Sequence, residues 1–257
     1  METHDEPISP DPDTNIVRPV MRQSWRSVSF LHWRCDAAVV RRLIPHELDL
    51  DLFEGDCWIG LVPFLIVDLT APKAPALPWL SHFPETNVRT YVRDRAGRRG
   101  VWFFSLDAAR WPAVVGARLG FGLPYYWAQM SVARKAEKAY YSSNRLLSRG
   151  GRCRVEIETG QRIAAPSALE VFLTARFRLF AERRGSLVMS EISHQRWPLQ
   201  QARVCAVEQD LVGKAGIPQP TSRPLTHFAA GVDVIVGPPE RIALSGAPVA
   251  GKDRGGL

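Results

Sequence analysis

The sequence predicts an α+β fold made mainly of antiparallel strands, with a long sheet that curls into a barrel and a few short helices at its edges. Three observations predict it. Segments of strand character outnumber helical ones by roughly three to one, and long antiparallel sheets usually close into a barrel or sandwich. Residues 85–93 (ETNVRTYVR) alternate cleanly, with Glu85, Asn87, Arg89 and Tyr91 on one face and Thr86, Val88, Thr90 and Val92 on the other. The turn DRAGRRG at 94–100 then leads into GVWFFSLDA, rich in aromatic and β-branched residues, and the two runs read as a hairpin.

The remaining elements follow in order. Residues 23–34 (QSWRSVSFLHWR) read as the first strand. Asp36 is placed to cap a short helix over 37–43, which Pro45 stops. Residues 57–69 (CWIGLVPFLIVDL) are nearly all apolar, as expected of a strand buried on both faces or bent at Pro63. A proline-rich loop, APKAPALPWL, comes next. Residues 111–119 read as a helix that tolerates Pro112 in its first turn and is broken by Gly120, Gly122 and Pro124. Further strands are expected over 139–146, 151–159, 175–182, 187–193, 201–208 and 231–236, with a helix near 168–172. The stretch ARKAEK reads as charged and exposed, and WPLQQARV as a strand with Trp197 in the core. Residues 1–20 and 245–257 read as mobile tails around one domain over 21–244, because few apolar residues and many prolines cannot support a core.

Composition narrows the function classes. Of 257 residues, 46% are hydrophobic and 23% charged, ordinary values for a globular chain. No apolar run reaches the roughly 18 residues of a membrane span, and the acidic start lacks the pattern of a signal peptide, so a cytoplasmic location is expected. The net charge of +7 is carried mostly by scattered arginines, with lysine only at 73, 135, 138, 214 and 252, and nucleic-acid binding is not expected. Cys35, Cys57, Cys153 and Cys205 are widely spaced, with no metal-ligand pattern, and are expected to be reduced, buried thiols. The histidines show no zinc spacing, and Ser105-Leu-Asp107 lacks the glycines of a nucleophile elbow. No metal or cofactor is expected.

The succession HWRCDAAVVRRLIPHELDLD, WIGLVPF, FPETNVRTYV, GVWFFSLDA, GLPYYWAQM and HFAAGVDVIVGPPERI, over about residues 21–242, resembles the YqjF-like family of uncharacterised conserved proteins, related to acetoacetate decarboxylase. The resemblance implies a cone-like, largely antiparallel barrel around a small-ligand cavity. It also implies a comparison site, because in the decarboxylases a lysine pair follows a Tyr-Pro turn. One of those lysines forms a Schiff base, and its neighbour holds down its pKa. Here the Leu-Pro turn leads instead into Tyr125 and Tyr126, and a phenol forms no imine, so Schiff-base decarboxylation is not expected. Tyrosine can still donate a hydrogen bond to a carbonyl or enolate. The resemblance further puts Arg26 at the family's active-site arginine, suited to a substrate carboxylate, and Glu85 at a cavity glutamate. A second glutamate of the decarboxylases falls near 59–62, where this chain is apolar.

The expected ligand-binding set is therefore Arg26, Glu85, Asn87, Arg89, Tyr125 and Tyr126, with no catalytic residue assigned. Three functions compete. The first is a binder of a small keto or carboxylic acid, and the second a lyase- or isomerase-like enzyme that uses tyrosine and glutamate without an imine. The third is a structural protein whose cavity is packed shut. Exposed sheet edges are compatible with a homo-oligomer.

Overall fold

A computed structural model describes residues 5–13, 15–72, 81–148 and 150–242. The expected C-terminal tail and most of the proline-rich loop lie outside the described residues. The long strands are β1 (Met21–Cys35), β3 (Cys57–Thr70), β4 (Phe83–Asp94), β5 (Arg99–Ala108), β6 (Tyr125–Lys135), β7 (Lys138–Arg145) and β8 (Arg152–Arg162). They continue with β9 (Arg178–Arg183), β10 (Ser186–His194), β11 (Leu199–Gln209) and β12 (Leu225–Val236). Two short strands, β2 (Leu48–Leu50) and β13 (Glu240–Arg241), pair with β4 and β10. The helices are α1 (Ala37–Arg41), α2 (Trp111–Phe121), α3 (Ala168–Thr174) and α4 (Leu211–Lys214).

The strand pairings close two rings. One is a nine-strand mixed barrel, β5–β6–β7–β8–β11–β12–β1–β3–β4. The other joins seven strands, β5–β9–β10–β12–β1–β3–β4. Strands β12, β1, β3, β4 and β5 form a wall common to both, and much of this wall is buried on both faces. This explains the almost unbroken apolar run of β3: Ile59 and Leu61 enter the nine-strand core with Val88, Tyr141 and Ile157, while Trp58 joins Tyr91, Phe172 and Val234 on the other side. The expected alternation of residues 85–93 holds, and it divides that strand between two interiors rather than between a core and solvent.

Two parallel pairings, β5–β6 and β5–β9, make the sheet mixed. Helix α2 carries the chain from β5 to the parallel strand β6, as parallel neighbours require. The helix runs past the expected stop to Phe121 and ends at Gly122, whose φ of 76° only glycine adopts without strain. The ARKAEK stretch is exposed over residues 133–137, as expected. Strand β6 extends to Lys135 and turns at Ala136, φ 51°, straight into β7.

Asp36 caps α1 as expected, accepting from the Ala38 N–H at 2.7 Å. Carboxylates of the acidic N-terminal segment meet arginines of the barrel. Glu6 receives two hydrogen bonds from Arg178, at 2.8 and 2.6 Å, and one from the Arg99 N–H at 2.8 Å. Asp5 pairs with Arg93, Asp13 with Arg178, and Asp11 with Arg196. Low hydrophobicity argues against a core, but carboxylates aimed at half-buried arginines can hold a segment without one.

Candidate functional site

The seven-strand ring encloses a cavity of about 250 Å³. The local backbone decides which residues reach it. Strand β4 presents Glu85, Asn87 and Arg89 in series, at every second residue. Strand β1 needs a correction to its parity. Ser27 adopts φ 50° where the β1–β3 register shifts, and this bulge brings Trp25 and Val28 onto the same wall. Phe30 follows them. Strand β6 sends Tyr125 inward at its first residue, and α2 covers the cavity with Ala113, Gly116, Ala117 and Phe121.

The expected residues therefore divide. Glu85, Asn87, Arg89 and Tyr125 line one cavity. Arg26 does not. The bulge leaves it outside, where it donates to the Val232 carbonyl at 2.9 Å and pairs with Asp233 at 2.6 Å. Tyr126 points away as well, because neighbouring strand residues face opposite sides. Its ring lies 3.8 Å from the Arg145 guanidinium and 5.7 Å from that of Arg118. Arg145 is in turn held by buried Asp107 at 2.7 Å.

Inside, Tyr125 donates to Glu85 Oε2 at 2.8 Å. Burial pushes the Glu85 carboxyl up to about 8, with the nearby Asp107 charge adding to the shift and the tyrosine hydroxyl opposing it. Burial, with the glutamate beside it, also raises Tyr125 well above an ordinary phenol. At neutral pH both groups keep their protons. Arg89 is 8% exposed, donates through Nη2 to the Leu173 carbonyl at 3.1 Å, and has no ion-pair partner among the described residues. Its Nε and the Asn87 Oδ1 lack hydrogen-bond partners. Gly60 leaves the space this arginine uses, since a Cβ there would stand 3.2 Å from the His32 ring and 3.4 Å from Arg89 Cγ.

Several lining residues carried no local signal in the sequence. Arg176, on the link from α3 to β9, lines the cavity but is neutralised by Asp51 at 2.6 Å. His194 ends β10 among Trp25, Phe177 and Trp197. Its Nδ1–H donates to the Gln195 carbonyl at 2.7 Å, leaving Nε2 as an acceptor, and burial lowers its pKa to about 4. Beyond Arg89 on the same face of β4, Tyr91 donates to the Leu173 carbonyl at 2.6 Å. The His32 Nε2–H must then be the donor in its 2.7 Å bond to Tyr91. These residues come from segments far apart in the chain, and only ring closure brings them together.

Lys135 and Lys214 are exposed and Lys138 is half-buried beside Glu156, while Lys73 and Lys252 lie outside the described residues. Among the described residues, no cluster of His, Cys, Asp or Glu could hold a metal ion, and no helix is long and apolar enough to cross a membrane.

A nine-strand mixed barrel fused to a second ring around an internal cavity defines an acetoacetate decarboxylase-like fold, and comparison with solved structures agrees. The enduracididine biosynthesis enzyme MppR, complexed with pyruvate, superposes with a TM-score of 0.66 at 14% identity, covering 90% of this chain and 93% of that one. Acetoacetate decarboxylase from Legionella pneumophila gives 0.65 at 13% identity, covering 91% and 92%. An acetoacetate decarboxylase-like enzyme from Sphingomonas wittichii gives 0.60 at 15%, covering 90% and 96%. Residues 22–233 match the family DUF2071, described as an uncharacterized conserved protein, and the chain belongs to that family. It is 37% identical over 224 residues to the uncharacterized protein YqjF of Bacillus subtilis, covering 85% of this chain and 91% of the relative.

Proposed function

We propose that the seven-strand ring binds a small apolar carboxylic or keto acid, with the carboxylate on Arg89 and a carbonyl oxygen near the Tyr125–Glu85 pair, and that it does so without a Schiff base. One observation carries the reading: a buried guanidinium without an acidic partner among the described residues, in a cavity whose glutamate holds its proton. Such a cavity carries net positive charge and favours an anion. The walls contribute Trp25, Phe30, Phe64, Phe83, Phe103 and Trp197, which suit an apolar body attached to that carboxylate. The pyruvate held by MppR, on the same fold, supports the size and charge of the ligand.

The test is a thermal-shift and calorimetric series running from pyruvate to phenylpyruvate, with the matching alcohols as controls. Acids raise Tm and alcohols do not. Arg89→Met weakens acid binding about 30-fold or more, while Arg26→Ala binds like wild type. Equal binding by Arg89→Met, or no shift with any acid, overturns the reading.

The Glu85 pKa of about 8 favours a second reading, because a carboxyl titrating near neutrality can return protons to a carbon beside a carbonyl. Exchange of the α-protons of a keto acid with deuterated water, lost in Glu85→Gln, would establish it. Borohydride trapping of the acid on any lysine, Lys73 included, would replace both readings with imine chemistry.

A further inference from the structure

Cys35 closes β1 and Cys57 opens β3, and they face each other as the terminal pair of the β1–β3 ladder. Directly opposed residues of antiparallel strands have Cα atoms about 4.5 or 5.5 Å apart, and a disulfide spans about 4.4–6.8 Å. The two Sγ atoms are 3.5 Å apart, with the Cys35 thiol donating to Cys57. Cys57 is buried and Cys35 half-buried, so a small reagent can reach the pair from the Cys35 side. All four cysteines are free thiols, and the expected burial holds for Cys57 and Cys153 but not for all four. Cys35 and Cys57 meet, and Cys205 is exposed.

We propose that Cys35 and Cys57 form a reversible dithiol–disulfide site, oxidised by a low-molecular-weight disulfide such as oxidised glutathione. The bond from Cys35 and the Trp58 N–H favour the Cys57 thiolate, so the pair gives up its first proton more readily than an isolated thiol. One cysteine sulfur attacks the small disulfide and expels a thiolate. The second cysteine loses its proton and attacks the mixed disulfide, forming the Cys35–Cys57 bond and expelling the second thiolate. Two protons and two electrons leave the protein, and the small disulfide becomes two thiols.

The bond would close a loop with consequences for the cavity. The segment between the two cysteines carries Asp51, the counterion of cavity-lining Arg176, and Phe53, whose ring lies 5.3 Å from that of Phe172. Oxidation fastens this segment to the wall common to both rings.

The test equilibrates the full chain in a series of oxidised-to-reduced glutathione ratios, traps free thiols with an alkylating agent, and measures intact mass and peptide maps. The expected product is monomeric, lighter by two hydrogens, linked between Cys35 and Cys57, and still alkylated at Cys153 and Cys205. Its Tm rises by about 5 °C or more, and reduction reverses the change. Cys205→Ser behaves identically. A stable glutathione adduct on wild-type Cys35, a dimer linked through Cys205, or no reaction across the series overturns the proposal.

Discussion

Arg89 and Glu85 stand four residues apart on one face of β4, with Asn87 between them, and both are buried. The buried guanidinium meets no carboxylate among the described residues, so its charge must be met by a ligand or remain costly. The glutamate can keep its proton, and does so up to about pH 8. That gives two linked expectations. Between the ordinary carboxyl value of 4.5 and the folded value of about 8, the folded state binds more protons than the unfolded. The favourable contribution is complete below 4.5 and is lost as pH rises towards 8, by up to about 1.4 kcal/mol per pH unit. Glu85→Gln should flatten that slope in denaturant titrations across the window. Above about pH 8 the ionised carboxylate repels an anionic ligand, so acid affinity should fall by up to about tenfold per pH unit in wild type and stay level in Glu85→Gln.

Helix α2 and the bulge at Ser27 show what an element contributes to the site. Gly116 sits on α2 over the cavity, and a Cβ there meets nothing within 4 Å. Gly116→Leu should improve the helix by a few tenths of a kcal/mol or more and occupy ligand space. Tm without ligand should be kept or raised while the acid-induced shift disappears; a retained shift would separate α2 from the site. The same two elements mark the limits of reading the sequence. The polar face of residues 85–93 was legible, because period-2 alternation fixes a strand's faces, but which of Tyr125 and Tyr126 turns inward was not, because nothing in GLPYYWAQM sets where β6 begins. The side taken by Arg26 was not legible, because one residue in left-handed conformation reverses the parity of β1 and leaves no pattern in QSWRSVSFLHW. Arg176 and His194 were hidden for a different reason: their partners, Asp51 and Trp25, are far away in the chain.

For the whole molecule, opposite charges distant in sequence are brought together by closure of the sheet. The N-terminal segment illustrates this. Arg178 is 5% exposed at its side chain and depends on Glu6 and Asp13 for charge balance. Glu6→Gln combined with Asp13→Asn leaves that guanidinium buried and unpaired, at a cost of roughly 1–3 kcal/mol after allowing for the partial exposure of both acids. Chemical denaturation should show the loss at low ionic strength and a smaller one in high salt. An unchanged midpoint would mean that the segment contributes no stability. The arginines that serve it are scattered over residues 93–196, so composition registered only a diffuse positive charge.

The wall common to both rings also sets a timetable for a ribosome. Strand β1 finds one neighbour in β3 early, but its other edge waits for β12, and Glu6 waits for Arg178. Until nearly all of these residues have been synthesised, an emerging chain exposes an open, apolar sheet edge and a cluster of free acids. The bond pattern of the finished fold thus implies a late, concerted assembly, during which a nascent-chain chaperone would have its longest opportunity to bind.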